Sequence, residues 1–291
     1  MFYKHKIMNI FFQKKLNSNL QKNGFVVVSL LNKDEISELE HFFYSCESEF
    51  QNKFTTYACN NIQYKKDVDN LLKKVIGKKL ERIITPDMIP FWGNFMLKKP
   101  DENSDMPLHA DWQYVDEKKY ISLNVWTPFI DTSLENGSLH VVPKSHQHCN
   151  YPRGINLPRY YEIKDKEIKT KFGKELKLKK GEAVIYDHRL LHYSYPNKST
   201  KNRLAATLVY VPKDTPISIF YKNNDASETN LLEIEGVSSL INSSFYEEPK
   251  NVKSKLQVEI PKMEEVKVFE SLCKTKRNSV LLKIDKLFSR F

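Results

Sequence analysis

His109, Asp111 and His192 are the residues of this sequence best suited to bind a metal. His109 and Asp111 form an H-x-D pair, His192 follows 83 residues after His109, and Arg203 comes 11 residues later. Two imidazoles and one carboxylate on one face of a ferrous ion leave three positions open for an organic acid and dioxygen. The planar guanidinium of Arg203 suits the far carboxylate of a 2-oxo acid, which it can hold through two hydrogen bonds. The pattern predicts a ferrous iron site beside an anion-binding arginine.

This spacing requires particular elements to carry the ligands. Residues i and i+2 of an extended strand point to the same side, so one strand can supply both His109 and Asp111. His192 must then come from another strand that the fold brings alongside. His188 also precedes Arg203, so the order of the residues leaves two candidates for the third ligand. We prefer His192 because the residues around it and its distance from Arg203 match the family motif given below.

The pattern of apolar residues supplies such strands. Asn32 followed by Glu35 predicts a helix start, and residues 66–80 predict a second helix. From about residue 88 the pattern alternates, which predicts strands at 88–97, 120–130, 139–142, 176–178, 182–186 and 204–211. Over 120–129 the alternation places Ile121, Leu123 and Val125 on one face and Ser122, Asn124 and Trp126 on the other. The predicted fold is mainly β with flanking helices (α+β), with a double-stranded β-helix core of the jelly-roll, cupin-like type.

Three further motifs carry a family resemblance. The resemblance is carried by the residue types and spacing of three segments, 124–129 (NVWTPF), 136–146 (NGSLHVVPKSH) and 191–197 (LHYSYPN). Over about residues 20–215 the chain resembles the phytanoyl-CoA dioxygenase family. The resemblance implies Fe(II) on His109, Asp111 and His192, and 2-oxoglutarate held by Arg203 and Ser194. Departures from the family pattern are Tyr193 in place of a small residue and Pro143-Lys144 in place of proline-glycine.

Other residues are predicted from their position alone. Asn124 and Trp126 are expected to line the cosubstrate pocket, and Trp112 and Gln113, just past the metal ligands, to contact the substrate. His146 belongs to the Ser-His motif, where a structural role is expected.

The function predicted from these features is an Fe(II)- and 2-oxoglutarate-dependent dioxygenase, a hydroxylase that uses O2. Its substrate would be a small molecule, a lipid or a carrier-bound acyl or amino-acid group, and desaturation or cyclisation by the same iron site stays open. A halogenase is disfavoured because Asp111 occupies the position that chloride needs. The alternative is the same barrel without oxygenase turnover, as a metal-binding or zinc-hydrolase-like protein. The presence of all three ligands and Arg203 disfavours a loss of activity, and a zinc hydrolase would have no use for Arg203.

The composition of the chain limits the classes of partner that it could bind. The net charge of +10 comes from the two ends, since residues 1–22 carry five lysines and no acids and residues 251–291 carry ten basic against five acidic residues. A neutral centre with 39 lysines against 7 arginines in the whole chain disfavours a nucleic-acid partner. Four scattered cysteines and the lack of a signal peptide or of about 18 consecutive apolar residues indicate a cytoplasmic protein without a transmembrane segment.

The domain organisation follows from these changes in pattern. We expect a basic N-terminal segment at 1–22, the oxygenase domain at 23–215 and a C-terminal extension at 216–291. The basic stretch 143–180 is either a substrate cover that favours an anion or a solvated loop. An amphipathic basic helix near residues 280–288 could pack on the barrel, join a dimer or lie on a membrane surface.

Overall fold

A computed structural model describes residues 9–46, 53–149, 151–159, 161, 164–223, 228–244 and 246–260. The helices of this part are α1 (Lys14–Asn23), α2 (Lys33–Ser45), α3 (Ile62–Leu72), α4 (Lys78–Leu80), α5 (Asp165–Phe172) and α6 (Val237–Ile241). One π-helical turn, Lys73–Gly77, joins α3 to α4. The predicted basic helix near residues 280–288 lies outside the described residues.

Fourteen strands are formed by the described residues. They are β1 (Phe25–Ser29), β2 (Lys53–Thr55), β3 (Met88–Lys98), β4 (Met106–His109), β5 (Leu123–Pro128), β6 (Leu139–Val141), β7 (Gly154–Ile155), β8 (Lys174–Glu175), β9 (Glu182–Asp187), β10 (His192–Ser194), β11 (Arg203–Pro212), β12 (Ser218–Lys222), β13 (Thr229–Ile234) and β14 (Val252–Val258). They form three sheets, in the orders β1-β9-β5-β11-β3-β2, β4-β10-β6-β8 and β14-β13-β12-β7.

The six-stranded sheet is antiparallel and carries helices on its outer face. Leu123 and Val125 of β5 are fully buried in a core with the helical residues Ile36, Leu39 and Leu72. Their removal from water stabilises this layer by roughly 1.5–3 kcal/mol for each large side chain. The predicted division of β5 into a helix-facing and an inward face is therefore confirmed.

The four-stranded sheet β4-β10-β6-β8 faces the other side of the six-stranded sheet. Trp126 of β5 and Val184 of β9 form a core with Leu139 and Val141 of β6 in this second sheet. The two sheets leave a cavity between them, lined by residues of β3, β4, β5, β10 and β11. This arrangement confirms the mainly β, jelly-roll prediction.

Most predicted elements lie close to their predicted bounds. Asn32 and Glu35 form a reciprocal capping box at the start of α2, in which the Asn32 side chain accepts from the Glu35 N–H and Glu35 accepts from the Asn32 N–H. The strand predicted at 176–178 is wrong. There the Leu176 N–H donates to the Leu139 carbonyl, but the Leu178 N–H donates to the Thr132 side-chain hydroxyl. The backbone hydrogen bonds of this segment therefore do not form the regular pattern of paired strands.

The third sheet extends the barrel domain. It joins β12, β13 and β14 to the short strand β7, which pairs with β12 in parallel. Residues 231–260 give only weak signals in the sequence, yet they form most of β13 and the whole of β14. The sheet therefore fixes β7, which belongs to the basic stretch 143–180, against the C-terminal part of the chain.

Candidate metal and cosubstrate site

The three predicted metal ligands meet where the two sheets face each other. His109 ends β4 and His192 begins β10, and the two residues are paired across these antiparallel strands. The His109 Nε2 and His192 Nε2 atoms lie 3.6 and 3.5 Å from Asp111 Oδ1. Asp111 lies just past the end of β4, where its N–H donates to the His188 carbonyl. Among the described residues this is the one group of three such ligands close enough to share a metal ion.

Backbone carbonyls fix the orientation of both imidazole rings. His109 Nδ1 is 2.8 Å from the Pro107 carbonyl, and His192 Nδ1 is 2.9 Å from the Leu190 carbonyl. A carbonyl oxygen only accepts, so Nδ1 is the protonated nitrogen of each ring, and in the neutral imidazole Nε2 keeps its lone pair. Both lone pairs are therefore available to a metal beside Asp111 Oδ1, and the carbonyls act as the outer partners that metal-binding histidines usually have.

The second oxygen of Asp111 is held by two side chains of the facing sheet. Asn124 Nδ2 donates to Asp111 Oδ2 at 2.9 Å, and the Tyr186 hydroxyl donates to the same atom at 3.0 Å. Asn124 and Tyr186 are themselves paired across β5 and β9. The carboxylate is thus held through Oδ2 while Oδ1 faces the two histidines.

The ionisation of the ligands also fits a metal site. Burial alone would raise the pKa of Asp111, but the neighbouring histidines and the Asn124 amide lower it to about 2. Burial and the nearby His192 lower the pKa of His109 to about 4, with a smaller contribution from the charge of Arg159. Near neutral pH the pair is therefore one carboxylate and one neutral imidazole, which are the forms that bind a divalent metal.

Arg203 lies in the same cavity and has no carboxylate partner in the part of the chain that the structure describes. Its side chain is 4% exposed, and its Nε and Nη1 atoms have no hydrogen-bond partner among the described residues. Burial lowers its pKa to about 10, and the guanidinium carbon lies 5.3 Å from the centre of the Trp126 ring. A buried guanidinium with unpartnered donors is costly unless an anion binds it. The site therefore has room and charge for an anionic cosubstrate.

A second cation stands next to Arg203. Lys98 is paired with Arg203 across β3 and β11, is 4% exposed, and donates from Nζ to the Ser194 hydroxyl at 2.6 Å and to the Tyr195 carbonyl at 2.7 Å. Gly137, with φ of 74°, makes room for it, since a Cβ there would lie 2.9 Å from Lys98 Cδ. The sequence reasoning missed Lys98 because only the strand register brings it to Arg203.

The remaining predicted residues have different placements. Asn124, Trp126, Ser194 and Trp112 all line the cavity, which has a volume of about 570 Å³. Gln113 does not belong to the cavity lining formed by the described residues, because its side chain turns back to donate to the Val115 carbonyl. Trp112 therefore lies in the cavity lining and Gln113 outside it, and substrate contact stays a prediction for both residues.

Three further residues lie near the metal ligands, and of these only His188 was considered from the sequence, as an alternative third ligand. Arg153 is buried, pairs with Glu117 at 2.6 Å and donates from Nε to the Asp111 carbonyl at 2.7 Å. His188 Nε2 lies 4.0 Å from Asp111 Oδ2, and its Nδ1 lies 2.7 Å from the Ser122 hydroxyl. Tyr186, described above, is the third. These contacts join distant segments, so no local pattern could have shown them.

The two departures from the family pattern have local explanations. Lys144 has a φ of 72°, a left-handed conformation that favours glycine, at the position where the family pattern has glycine. Tyr193 is buried and stacks on His140, with ring centres 4.9 Å apart. His146 is buried against helix α1, where its Nε2 lies 3.1 Å from the Gln21 carbonyl, which agrees with a structural role.

Comparison with known proteins decides the family. The model of the phytanoyl-CoA dioxygenase (PhyH) family matches residues 20–205, well over half of the chain. The chain belongs to the phytanoyl-CoA dioxygenase family. A relative from Dictyostelium discoideum, the phytanoyl-CoA dioxygenase domain-containing protein 1 homolog, is 26% identical over 138 residues, which are 45% of this chain and 48% of the relative. The chain thus spans about half the length of that curated relative.

Solved structures with the same fold include three enzymes. The epimerase SnoN, in complex with Fe3+, alpha ketoglutarate and nogalamycin RO, has a TM-score of 0.56 at 16% identity over 70% of this chain and 85% of its own. The carbocyclase SnoK from nogalamycin biosynthesis has a TM-score of 0.55 at 16% identity, covering 71% and 86%. HygX from Streptomyces hygroscopicus, with nickel and 2-oxoglutarate bound, has a TM-score of 0.52 at 13% identity, covering 70% and 88%. At these identities the likeness establishes the fold.

The residues of this family member fit the cofactors of an iron- and 2-oxoglutarate-dependent oxygenase. Two imidazoles and one carboxylate form the donor set of a ferrous site, and the guanidinium of Arg203, whose Nε and Nη1 have no hydrogen-bond partner among the described residues, fits an anionic oxo acid. The site therefore contains the residues that would hold the metal and the cosubstrate of such an oxygenase. No helix among the described residues combines the length and apolar character needed to cross a bilayer.

Proposed function

We propose that this protein is an Fe(II)- and 2-oxoglutarate-dependent hydroxylase of a small-molecule or carrier-bound substrate. The observation that carries the proposal is one cavity holding both the His109, Asp111 and His192 group and the unpartnered guanidinium of Arg203. A zinc hydrolase or a barrel without turnover gives no reason for a buried, unpaired arginine at that place.

Each residue near the metal has a proposed role. His109 and His192 would bind Fe(II) through Nε2, and Asp111 would bind it through Oδ1, since these atoms face one another. Arg203, with Ser194 and Lys98 beside it, would bind the far carboxylate of 2-oxoglutarate. Two buried cations would then balance that carboxylate, and the hydrogen bond from Lys98 to Ser194 would keep the serine hydroxyl in place.

The bound iron and cosubstrate supply the oxidising chemistry, in which O2 converts 2-oxoglutarate to succinate and CO2 while the substrate is oxidised. The protein residues orient the iron and the cosubstrate and shield them from water. Asn124 and Tyr186 hold the Asp111 carboxylate, so that its Oδ1 stays directed at the metal. Trp126 covers one side of the Arg203 guanidinium, which limits the access of water to the salt bridge with the cosubstrate.

Anaerobic binding spectra test the proposal without knowledge of the substrate. Fe(II) followed by 2-oxoglutarate should give the weak visible charge-transfer band of a chelated oxo acid, and Arg203→Met should require far more 2-oxoglutarate for the same band. Absence of the band from protein that has bound iron would refute the cosubstrate assignment. Hydroxylation is then checked by mass spectrometry under 18O2, where a product without added oxygen would favour desaturation or cyclisation.

A further inference from the structure

Asn94 of β3 lines the cavity, and its side-chain oxygen is held by a neighbouring segment. The Tyr57 N–H donates to Asn94 Oδ1 at 3.1 Å, and the Thr55 hydroxyl donates to the same atom at 2.8 Å. A backbone N–H can only donate, so the atom that accepts from Tyr57 must be the oxygen of the amide. The orientation of the Asn94 amide is therefore fixed, and its nitrogen is the atom left for another partner.

The Nδ2 group of Asn94 offers two N–H donors, and no residue in the part of the chain that the structure describes accepts from it. Two neighbouring donors are engaged with the protein. Asn124 Nδ2 donates to Asp111 at 2.9 Å and to the Tyr186 hydroxyl at 3.1 Å. The Thr207 hydroxyl donates to the Asn94 carbonyl at 3.3 Å. Because the Asn94 side chain is only half-buried, its Nδ2 is a donor that the cavity offers to a bound molecule.

Strand register places Asn94 in the same row of the sheet as a residue of the cosubstrate pocket. Thr207 of β11 is paired with Asn94 on one side and with Trp126 of β5 on the other, so these three residues form one row across the sheet. The Arg203 guanidinium carbon lies 5.3 Å from the centre of the Trp126 ring. The anion-binding group therefore lies against the row that contains Asn94.

The next row of the sheet supports the metal site. Val209, two residues after Thr207, is paired with Asn124, whose Nδ2 donates to the metal ligand Asp111. Two residues of a strand span roughly 7 Å. The row of Asn94 is therefore one step along the sheet from the residue that holds the metal ligand. A ligand that extends from the metal to the buried guanidinium crosses this row.

Under the proposed function, the ligand that crosses this row is an acid with two anionic ends. Its far carboxylate binds Arg203, while its near carboxylate and the adjacent oxo group bind the metal. A hydrogen bond from an amide N–H to a carboxylate is charge-assisted, so it is stronger than a hydrogen bond between neutral groups. The Nδ2 group of Asn94 therefore complements the near carboxylate.

We propose that Asn94 is a cosubstrate-binding residue, whose Nδ2 donates to the near carboxylate of 2-oxoglutarate. The inference rests on the proposed function, because it requires that the cosubstrate extend from the metal to Arg203. It gives the metal-binding end of the cosubstrate a hydrogen-bond partner in the protein, whereas Arg203, Ser194 and Lys98 serve the far end.

The test compares two ligands by anaerobic titration of the iron-loaded protein, followed through the visible charge-transfer band. 2-Oxoglutarate has both anionic ends, whereas 2-oxopentanoate has the oxo acid end and no far carboxylate. Asn94→Asp keeps an oxygen to accept from Thr55 and Tyr57, but it replaces the donor by an oxygen that repels a carboxylate. It should weaken both ligands by a similar factor, roughly 10- to 100-fold. Arg203→Met should weaken 2-oxoglutarate and leave 2-oxopentanoate almost unchanged.

The position of the band gives a second readout that does not depend on affinity. A hydrogen bond to the chelating end of the oxo acid changes the energy of the charge transfer, whereas a contact at the far end does not. At saturating 2-oxoglutarate, Asn94→Asp should therefore shift the band maximum, and Arg203→Met should not. An unshifted maximum in Asn94→Asp would contradict the assignment to the near carboxylate.

Two further variants serve as controls. Asn61→Asp is the matched control, because Asn61 Oδ1 also accepts a backbone N–H, that of Tyr64 at 3.0 Å, and the residue is exposed outside the cavity lining. It should bind both ligands as the unmodified protein does. Asn94→Leu removes the donor without adding charge, so it should weaken both ligands by a smaller factor than Asn94→Asp.

The outcomes separate this inference from the proposed function. Unchanged 2-oxoglutarate affinity in both Asn94 variants would overturn the inference, and the oxygenase assignment would stand if the band still forms. Weakening confined to 2-oxoglutarate would also overturn it, because that result places Asn94 at the far carboxylate. If the unmodified, iron-loaded protein gives no band at all, the proposed cosubstrate itself fails, before any variant is compared.

Discussion

Replacing Tyr186 by phenylalanine tests how the facing sheet supports the metal site. The change removes one hydroxyl, which donates to Asp111 Oδ2 at 3.0 Å, and leaves the ring that packs 4.9 Å from the His192 ring. Asn124 Nδ2 still donates to Oδ2 at 2.9 Å, so the carboxylate keeps one of its two donors. We expect the variant to fold as before and to bind Fe(II) more weakly.

The expected size follows from the number of donors lost. A hydrogen bond to a charged group contributes about 1.5–3 kcal/mol, and loss of an outer partner of a metal ligand commonly weakens metal binding about 10- to 100-fold. Because Asn124 remains, Tyr186→Phe should lie near the lower limit, on the order of tenfold. Tyr186→Phe combined with Asn124→Leu should exceed either single change, since it leaves Oδ2 without either of its two side-chain donors.

Anaerobic titration with Fe(II) in competition with a chelator of known affinity measures the effect. Tyr210→Phe is the matched control, because Tyr210 is a buried tyrosine of β11 that does not belong to the cavity lining. The control should bind Fe(II) as the unmodified protein does. The reasoning is refuted if Tyr186→Phe and the double variant both bind Fe(II) with unchanged affinity, or if Tyr210→Phe weakens it equally.

Three other outcomes are expected. Alanine at any one of the three metal ligands should abolish iron binding or turnover, measured by metal content after desalting and by succinate formation. Arg203→Met should raise the dissociation constant of 2-oxoglutarate on the order of 100-fold, since removing one partner of a buried charge pair costs about 2–5 kcal/mol. Arg203→Lys should recover only part of the lost affinity, because an ammonium lacks the planar pair of donors that a guanidinium offers to a carboxylate. Asp187→Asn should destabilise the fold by about 3–5 kcal/mol, because it leaves Arg189, now 2.6 Å from the carboxylate, buried without its anion. Burial alone would raise the pKa of Asp187, but Arg189 lowers it below the ordinary 3.8. As the pH falls, Asp187 is therefore protonated in the unfolded chain before it is protonated in the folded protein. The contribution of the Asp187–Arg189 pair to the free energy of unfolding is complete above about pH 5 and is lost at lower pH. Urea unfolding at pH 7 and pH 3 should show a smaller loss of stability on acidification in Asp187→Asn than in the unmodified protein, and an equal loss would contradict this assignment.

The sequence predicted the structure best where a feature depends only on residues close together in the chain. The capping box of Asn32 and Glu35 depends on residues three apart, so its position could be predicted. The alternation in β5 likewise predicted which side chains face the helices, because successive residues of a strand point to opposite sides. The strand predicted at 176–178 failed because alternation of leucines and lysines does not ensure a partner strand, and the Thr132 hydroxyl takes part of that bonding.

The metal ligands could be named from the sequence because their types and spacing are prescribed by iron chemistry and by the motifs around them. The residues that support these ligands through hydrogen bonds could not be named from the sequence. Tyr186 reaches Asp111 from 75 residues away, and Lys98 reaches Ser194 from 96 residues away. Such contacts depend on strand register, which pairs Asn124 with Tyr186 and Lys98 with Arg203.

The sequence by itself determined which residues could form the site, since two imidazoles, one carboxylate and one distant arginine are the side chains that an iron and 2-oxo acid site needs. Only the tertiary structure decided how that chemistry is supported and to what it is applied. It brought Lys98 to the cosubstrate pocket, turned Gln113 away from the cavity, and placed Tyr57, Trp92 and Trp112 along the cavity lining. The reason is physical: side-chain chemistry is carried by each residue, whereas the shape and charge of a cavity arise from segments that meet only after the sheets have paired.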